Sequence, residues 1–182
     1  MSDGDTWREQ TTRAAVLAGD PTAWRLWFDA HYERLAGYVR WRCGGLPELA
    51  DDVLQETWLT AVRRVRAFDP TKGTLFDWLC GIASNAARNA VRARLRRKSR
   101  TRPLADDHAA PDSRGAVEKA ERVAAALAAR PDHYEAVLRA KYLDGQTVEQ
   151  IAAAGNDSAK AVESLLTRAR RAFRAAYEKT DG

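Results

Sequence analysis

The side chains with the most chemistry to offer are arginines and amides at helical spacing, and the chemistry they suit is contact with nucleic acid. From Arg92 to Arg102 stand Arg92, Arg94, Arg96, Arg97, Lys98, Arg100 and Arg102, with no acid among them. A second basic group, Arg168, Arg170, Arg171 and Arg174, lies near the C-terminus. Gly81, Asn85, Arg88, Asn89, Arg92 and Arg96 recur every three or four residues, so a helix would carry them on one face. Guanidinium groups meet phosphates, amides reach base edges, and a glycine permits close approach. Phe68, Phe76 and Trp78 border the preceding loop and are candidates to stack on unpaired bases. Each of these aromatics taken singly fits a core better. The arginine run alone also fits a solvated helix end or a nonspecific tether.

Acids gather elsewhere, at Glu48, Asp51, Asp52 and Glu56. On one helix, Asp52, Gln55, Glu56, Leu59, Arg63 and Arg66 share a side opposite Leu49, Val53, Thr57, Ala61 and Val65. An acidic and amide stripe with an exposed leucine suits docking onto another protein's helices. From spacing alone the stripe reads better as a solvated face whose Asp51 and Asp52 complement the helix dipole.

Site chemistry of the enzymatic kind is missing from the sequence. His31, His108 and His133 are scattered, Cys43 and Cys80 sit in no metal-ligand spacing, and no glycine-rich phosphate loop follows a strand. Asp51, Asp52 and Glu56 lack histidine partners for a metal. The expectation is a non-enzyme with no cofactor and no metal, its two thiols reduced. No apolar run approaches the ~20 residues that span a bilayer. The acidic start Met1-Ser2-Asp3-Gly4-Asp5 is unlike a secretory signal, so a cytoplasmic protein without membrane insertion is expected.

The elements that must position these side chains all read as helices. The chain has 182 residues and a formal charge of +5. Alanine, leucine, arginine and glutamate dominate, strand alternation is absent, and the fold class expected is all-α. Thr6 caps a first helix ended by Gly19, and Asp20-Pro21 opens a second that stops near Gly44-Gly45. A third runs from about Pro47 to Arg66, Phe68–Thr74 breaks it, and a fourth enters the basic run. Pro103, Pro111, Asp106, Asp107 and Asp112 mark residues 99–114 as a flexible linker. Helices at about 115–129, 132–143, 147–154 and 158–178 follow. Two small bundles result, 1–98 and 115–182, joined by that linker.

The second bundle has helix-turn-helix shape over Thr147–Val162. Ser158 caps the second helix of the pair, and Gly155 and Asn156 tolerate a left-handed turn. Residues at its start would enter a major groove, which makes Ser158, Lys160, Ala161, Glu163 and Ser164 the base readers and Arg168 and Arg171 the phosphate contacts. Spacing alone equally allows an ordinary helical hairpin.

Together these segments resemble the extracytoplasmic-function sigma factors of RNA polymerase. The strings that carry the likeness are Asp51-Asp52-Val53-Leu54-Gln55-Glu56-Thr57-Trp58, Phe68-Asp69-Pro70 and Trp78-Leu79-Cys80-Gly81-Ile82-Ala83-Ser84-Asn85, in the family's order and running into a basic stretch. The later match is Tyr142–Ala152 followed by Ser158–Arg171. The resemblance implies a factor made of sigma regions two and four. Asp52, Gln55, Glu56 and Leu59 would dock on the clamp helices of core RNA polymerase. Phe68, Lys72, Asn85, Arg88, Asn89, Arg92 and Arg96 would recognise and help melt the minus-ten element, the loop holding a flipped base. The helix-turn-helix would bind the minus-thirty-five element of promoter DNA, and an anti-sigma factor is an expected further partner. Asn89 stands where an acid is common in the family, Ser84 where arginine is common, and Glu163 where a base is common. The rival expectation is a stand-alone helix-turn-helix regulator, which leaves the Asp52–Glu56 stripe and the Trp78–Asn85 segment idle. A polymerase-binding module that never touches promoters is a third, which the basic face argues against.

Overall fold

The computed structural model describes residues 11–100 and 111–179, and all regular structure among them is helical. Residues 11–17 form α1. Helix α2 (Pro21–Arg42) starts where Asp20 accepts from the Thr22 N–H at 2.8 Å, with proline in the first turn, where no donor is missed. It ends at Gly44 and Gly45, whose φ values of 67° and 86° lie in the left-handed region that favours glycine. Helix α3 (Pro47–Arg64) tightens into one 3₁₀ turn, Val65–Ala67, and α4 (Leu75–Arg100) follows the loop. Helices α5 (Pro111–Ala128), α6 (Asp132–Tyr142), α7 (Val148–Gly155) and α8 (Ala159–Glu178) complete the chain. Thr6 and its helix start lie outside the described residues.

Apolar periodicity builds the first core as expected. Trp27, Leu35 and Val39 of α2 meet Leu49, Val53 and Ala61 of α3 and Leu75, Leu79, Ala83 and Val91 of α4, all buried. The second core joins Val137 and Leu138 of α6 to Ala152 of α7 and Val162, Leu166 and Ala169 of α8. Truncating a buried leucine such as Leu166 to alanine costs about 2–5 kcal/mol.

The two bundles are not separate. Ala124 and Ala128 of α5 belong to the first core, and Trp41 of α2 packs against the second. A short-residue face on α5 lets its backbone come close to the turn after α2. A Cβ on Gly44 would stand 2.2 Å from the Ala120 carbonyl oxygen. The linker expected over 99–114 is helical at both ends, because α4 continues through Arg100 and α5 begins at Pro111, where proline is tolerated. Its middle, 101–110, lies outside the described residues. No described helix is long and apolar enough to cross a membrane.

Candidate nucleic-acid interfaces

The helix-turn-helix is assembled by three local devices. Thr147 accepts from the Gln150 N–H at 3.2 Å while the Gln150 side chain accepts from the Thr147 N–H at 2.8 Å, a reciprocal cap on α7. Asn156 makes the left-handed turn with φ 53°, and Gly155 remains inside the helix, so the amide residue alone carries the conformation. Ser158 then accepts from the Ala161 N–H at 3.2 Å and starts α8. Val162, Leu166 and Ala169 point inward, which leaves Ser158, Lys160, Ala161, Glu163, Ser164, Arg168 and Arg171 all exposed. The seven residues expected at this surface thus share one solvent-facing side. Arg170 is turned elsewhere and donates to the Tyr142 hydroxyl at 2.6 Å.

The face of α4 is less uniform. Asn85, Asn89, Arg92 and Arg96 are exposed, and Ala83, Ala87 and Val91 fill the core behind them. Arg88 is partly covered and forms an ion pair with Asp132 of α6. Two members of the basic run are also engaged: Arg94 and Lys98 hold the two oxygens of Glu121 on α5, at 2.8 and 2.7 Å. Burial raises the Glu121 pKa but these two cations outweigh it, leaving the carboxyl below its ordinary range.

The loop before α4 is held by its own hydroxyls. Asp69 accepts from the Thr71 hydroxyl at 2.7 Å and the Thr71 N–H at 3.0 Å, which lowers its pKa. Lys72 reaches into solvent, 3.5 Å from Asp69. Phe68 corrects an expectation. It is 2% exposed, with ring centroids 5.9 Å from Trp27 and 5.5 Å from Trp78, so it is a core side chain here and not a stacking platform. Phe76 is buried too, against Arg34, while Trp78 is half-buried. Short-range spacing could not separate these aromatics, because their burial depends on α2 crossing behind the loop. Sequence reasoning also missed Arg13 of α1. It donates to the Phe68 carbonyl at 2.8 Å and fixes the loop's entry. No local pattern signals a contact between residues so far apart in the chain.

On α3, Asp52, Gln55, Glu56 and Leu59 are all exposed, opposite buried Val53, Thr57 and Ala61. Beside Leu59 lies a shallow apolar hollow lined by Trp24, Phe28, Trp58 and Val62. An acidic row next to exposed apolar carbons fits a protein partner better than DNA phosphate. Cys43 and Cys80 are buried and free, and burial pushes their thiols up to about 11 and about 12. No group of histidines, cysteines and acids among the described residues is arranged to hold a metal.

Comparisons with known proteins bear on both halves. Residues 27–100 match the family model of Sigma-70 region 2, and residues 120–173 match that of Sigma-70, region 4. The RNA polymerase sigma factor CarQ of Myxococcus xanthus is 35% identical over 133 residues, covering 69% of this chain and 72% of CarQ. Among solved structures, one of CnrH in complex with the cytosolic domain of CnrY superposes with a TM-score of 0.51 at 25% identity. That match covers 94% of this chain and 97% of the other.

Proposed function

The chain belongs to the RNA polymerase sigma factors of the extracytoplasmic-function type, and we propose that it divides their work among three surfaces. As a sigma factor it binds core RNA polymerase and directs promoter recognition, DNA melting and transcription initiation. That family is not an enzyme class, and nucleotide chemistry falls to the core enzyme. Working on core polymerase, the chain acts in the cytoplasm.

The stripe of Asp52, Gln55, Glu56 and Leu59 captures core polymerase. Lys72, Asn85, Arg88, Asn89, Arg92 and Arg96 take the minus-ten element, with the Asp69–Thr74 loop as the pocket for an unpaired base. The exposed start of α8 reads the minus-thirty-five duplex through Ser158, Lys160, Ala161, Glu163 and Ser164, with Arg168 and Arg171 on phosphates. Phe68 supports the loop from inside. The domains divide as 1–98 and 115–182, although α5 places Ala124 and Ala128 in the first core while its other contacts are with α8. Because CnrH is seen with the cytosolic domain of CnrY, an anti-sigma partner covering these surfaces is part of the proposal.

The observation that carries this assignment is the sorting of exposed charge: acids at the start of α3, bases and amides on α4, and bases around Glu163 on α8, each backed by buried apolar residues of the same helix. Mixing the chain with sigma-free core polymerase and sequencing transcript 5′ ends from sheared genomic DNA tests it. Discrete start sites absent with core alone are expected. Glu56→Lys should abolish them by preventing capture while leaving helix content unchanged. Unfolding of that variant would make the stripe structural instead.

A further inference from the structure

We propose that Glu163 sets base choice at the minus-thirty-five duplex, where it selects a cytosine by accepting from the N4 amino group. The proposal rests on the assignment of α8 to that duplex and names the base read there. Glu163 is exposed in the second turn of α8 and is the only acid of that helix before Glu178. Lys160 stands one turn earlier and Arg168, Arg171 and Arg174 follow, all exposed. Nothing within the chain accounts for a carboxylate at this place. It lies beyond the first turn, so it adds little to the helix dipole. It is no part of the second core, which α8 supplies with Val162, Leu166 and Ala169. Among the described residues no cation stands at ion-pair distance from it. Arg170, two turns on, donates to Tyr142 instead. The Thr167 hydroxyl donates to the Glu163 backbone carbonyl at 2.9 Å, not to the carboxylate.

Facing a duplex, that carboxylate discriminates. Phosphates repel it whatever the sequence, so an acid here weakens binding unless a base returns a hydrogen bond. Along the major groove only cytosine N4 and adenine N6 donate, while guanine and thymine present acceptors. Adenine holds N6 beside the N7 acceptor, an arrangement that suits a side-chain amide, which both accepts and donates. An ionised carboxylate only accepts, so N7 repels it. Cytosine carries N4 beside a C–H and sets no acceptor of its own against the carboxylate. Lys160, Glu163, Ser164 and Thr167 follow one another at helical spacing on the exposed side of α8. The Lys160 ammonium offsets part of the phosphate repulsion, and Arg168 and Arg171 supply the grip that is independent of sequence. A basic helix with a single acid near its start thereby makes one base a condition of binding.

The test uses the full chain with core polymerase. One promoter found by start-site mapping has its minus-thirty-five segment randomised and the rest held fixed, and barcoded transcripts report each sequence. Wild type should enrich cytosine at one position by at least about fivefold over every other base, since a wrong base pair costs roughly that or more. Glu163→Gln should move that one preference from cytosine to adenine, because glutamine accepts and donates as adenine requires. The other positions should keep their bases. A change of base identity is a readout that a merely structural role would not move. Three results overturn the proposal: no cytosine preference in wild type, the same preference in both proteins, or a uniform rise in output on all sequences with Glu163→Gln. The last would make the carboxylate a general brake on DNA binding. Selection from fully random duplexes by the full chain alone separates this failure from failure of the sigma assignment. A cytosine column there without start sites from core polymerase upholds Glu163 as the reader and discards promoter initiation. Start sites without a cytosine column do the reverse, and the absence of both removes each.

Discussion

At the scale of single residues, charge and burial decide opposite fates for similar side chains. Arg92 and Arg96 remain in solvent, Arg94 is tied to Glu121, and Arg42 is enclosed with Glu135. A guanidinium group follows its partner, and the partner is set by which neighbouring helix passes within reach. The same holds for the thiols. Cys43 and Cys80 lie in apolar surroundings that favour the neutral form, with pKa values raised to about 11 and about 12. In the unfolded chain they would titrate near ~8.5. Their contribution to stability is fully present below that value and is lost as pH rises through the folded values. Folding stability should therefore decline between roughly pH 9 and pH 12, and a Cys43→Ala, Cys80→Ala chain should show a shallower decline in urea melts. At pH 7.5 both thiols should react with a disulfide reagent only as fast as the chain opens. Rapid labelling of the native protein would show that the thiols are exposed.

At the scale of elements, helix boundaries come from caps legible in a few residues. Asp20-Pro21, Thr147 with Gln150, and Ser158 each sit where the chain needs an acceptor for orphan N–H groups, and each does that job. Thr147→Ala and Ser158→Ala should each cost about 1 kcal/mol in urea denaturation. The two differ in what else they disturb. Ser158 sets the entry angle of α8, so its loss should also weaken minus-thirty-five binding, whereas Thr147 only fixes α7. Equal loss of DNA affinity in both would mean that the pair responds to stability alone. The loop between α3 and α4 is the counter-example. Its hydroxyl contacts are local and readable, but the burial of Phe68 and the grip of Arg13 arise from α1 and α2 lying behind it.

At the scale of the whole molecule, surfaces of opposed charge lie on different helices. The acidic stripe on α3 is exposed, with Asp52 and Glu56 on the rim of a cleft that α4 and α6 also line, while Asp132 of α6 pairs with Arg88 on the basic face of α4. Removing a cation from the uncovered part tests that face without disturbing the packing. Arg92→Ala should weaken open-complex formation and lower the slope of log affinity against log salt by about one unit. An unchanged slope would take Arg92 off the DNA path. Joining the bundles through α5 also predicts that they melt together, since Ala124 and Ala128 are shared with the first core.

The sequence by itself determined the all-helical class, the capped helix starts at Asp20, Thr147 and Ser158, the two apolar stripes and the residue types on each exposed face, because these depend on neighbours within one or two turns; it set the linker too wide, since α4 runs on to Arg100 and α5 starts at Pro111. It also carried the family likeness, which the matches over residues 27–100 and 120–173 bear out. Only the tertiary structure decided that Phe68 is core, that Arg94 and Lys98 are occupied, and that Glu135 of α6 meets Tyr38, Arg42 and Ser84. Those outcomes rest on contacts between residues 23 to 97 positions apart. Such contacts form only when whole helices pack, and no local pattern of spacing or charge encodes them.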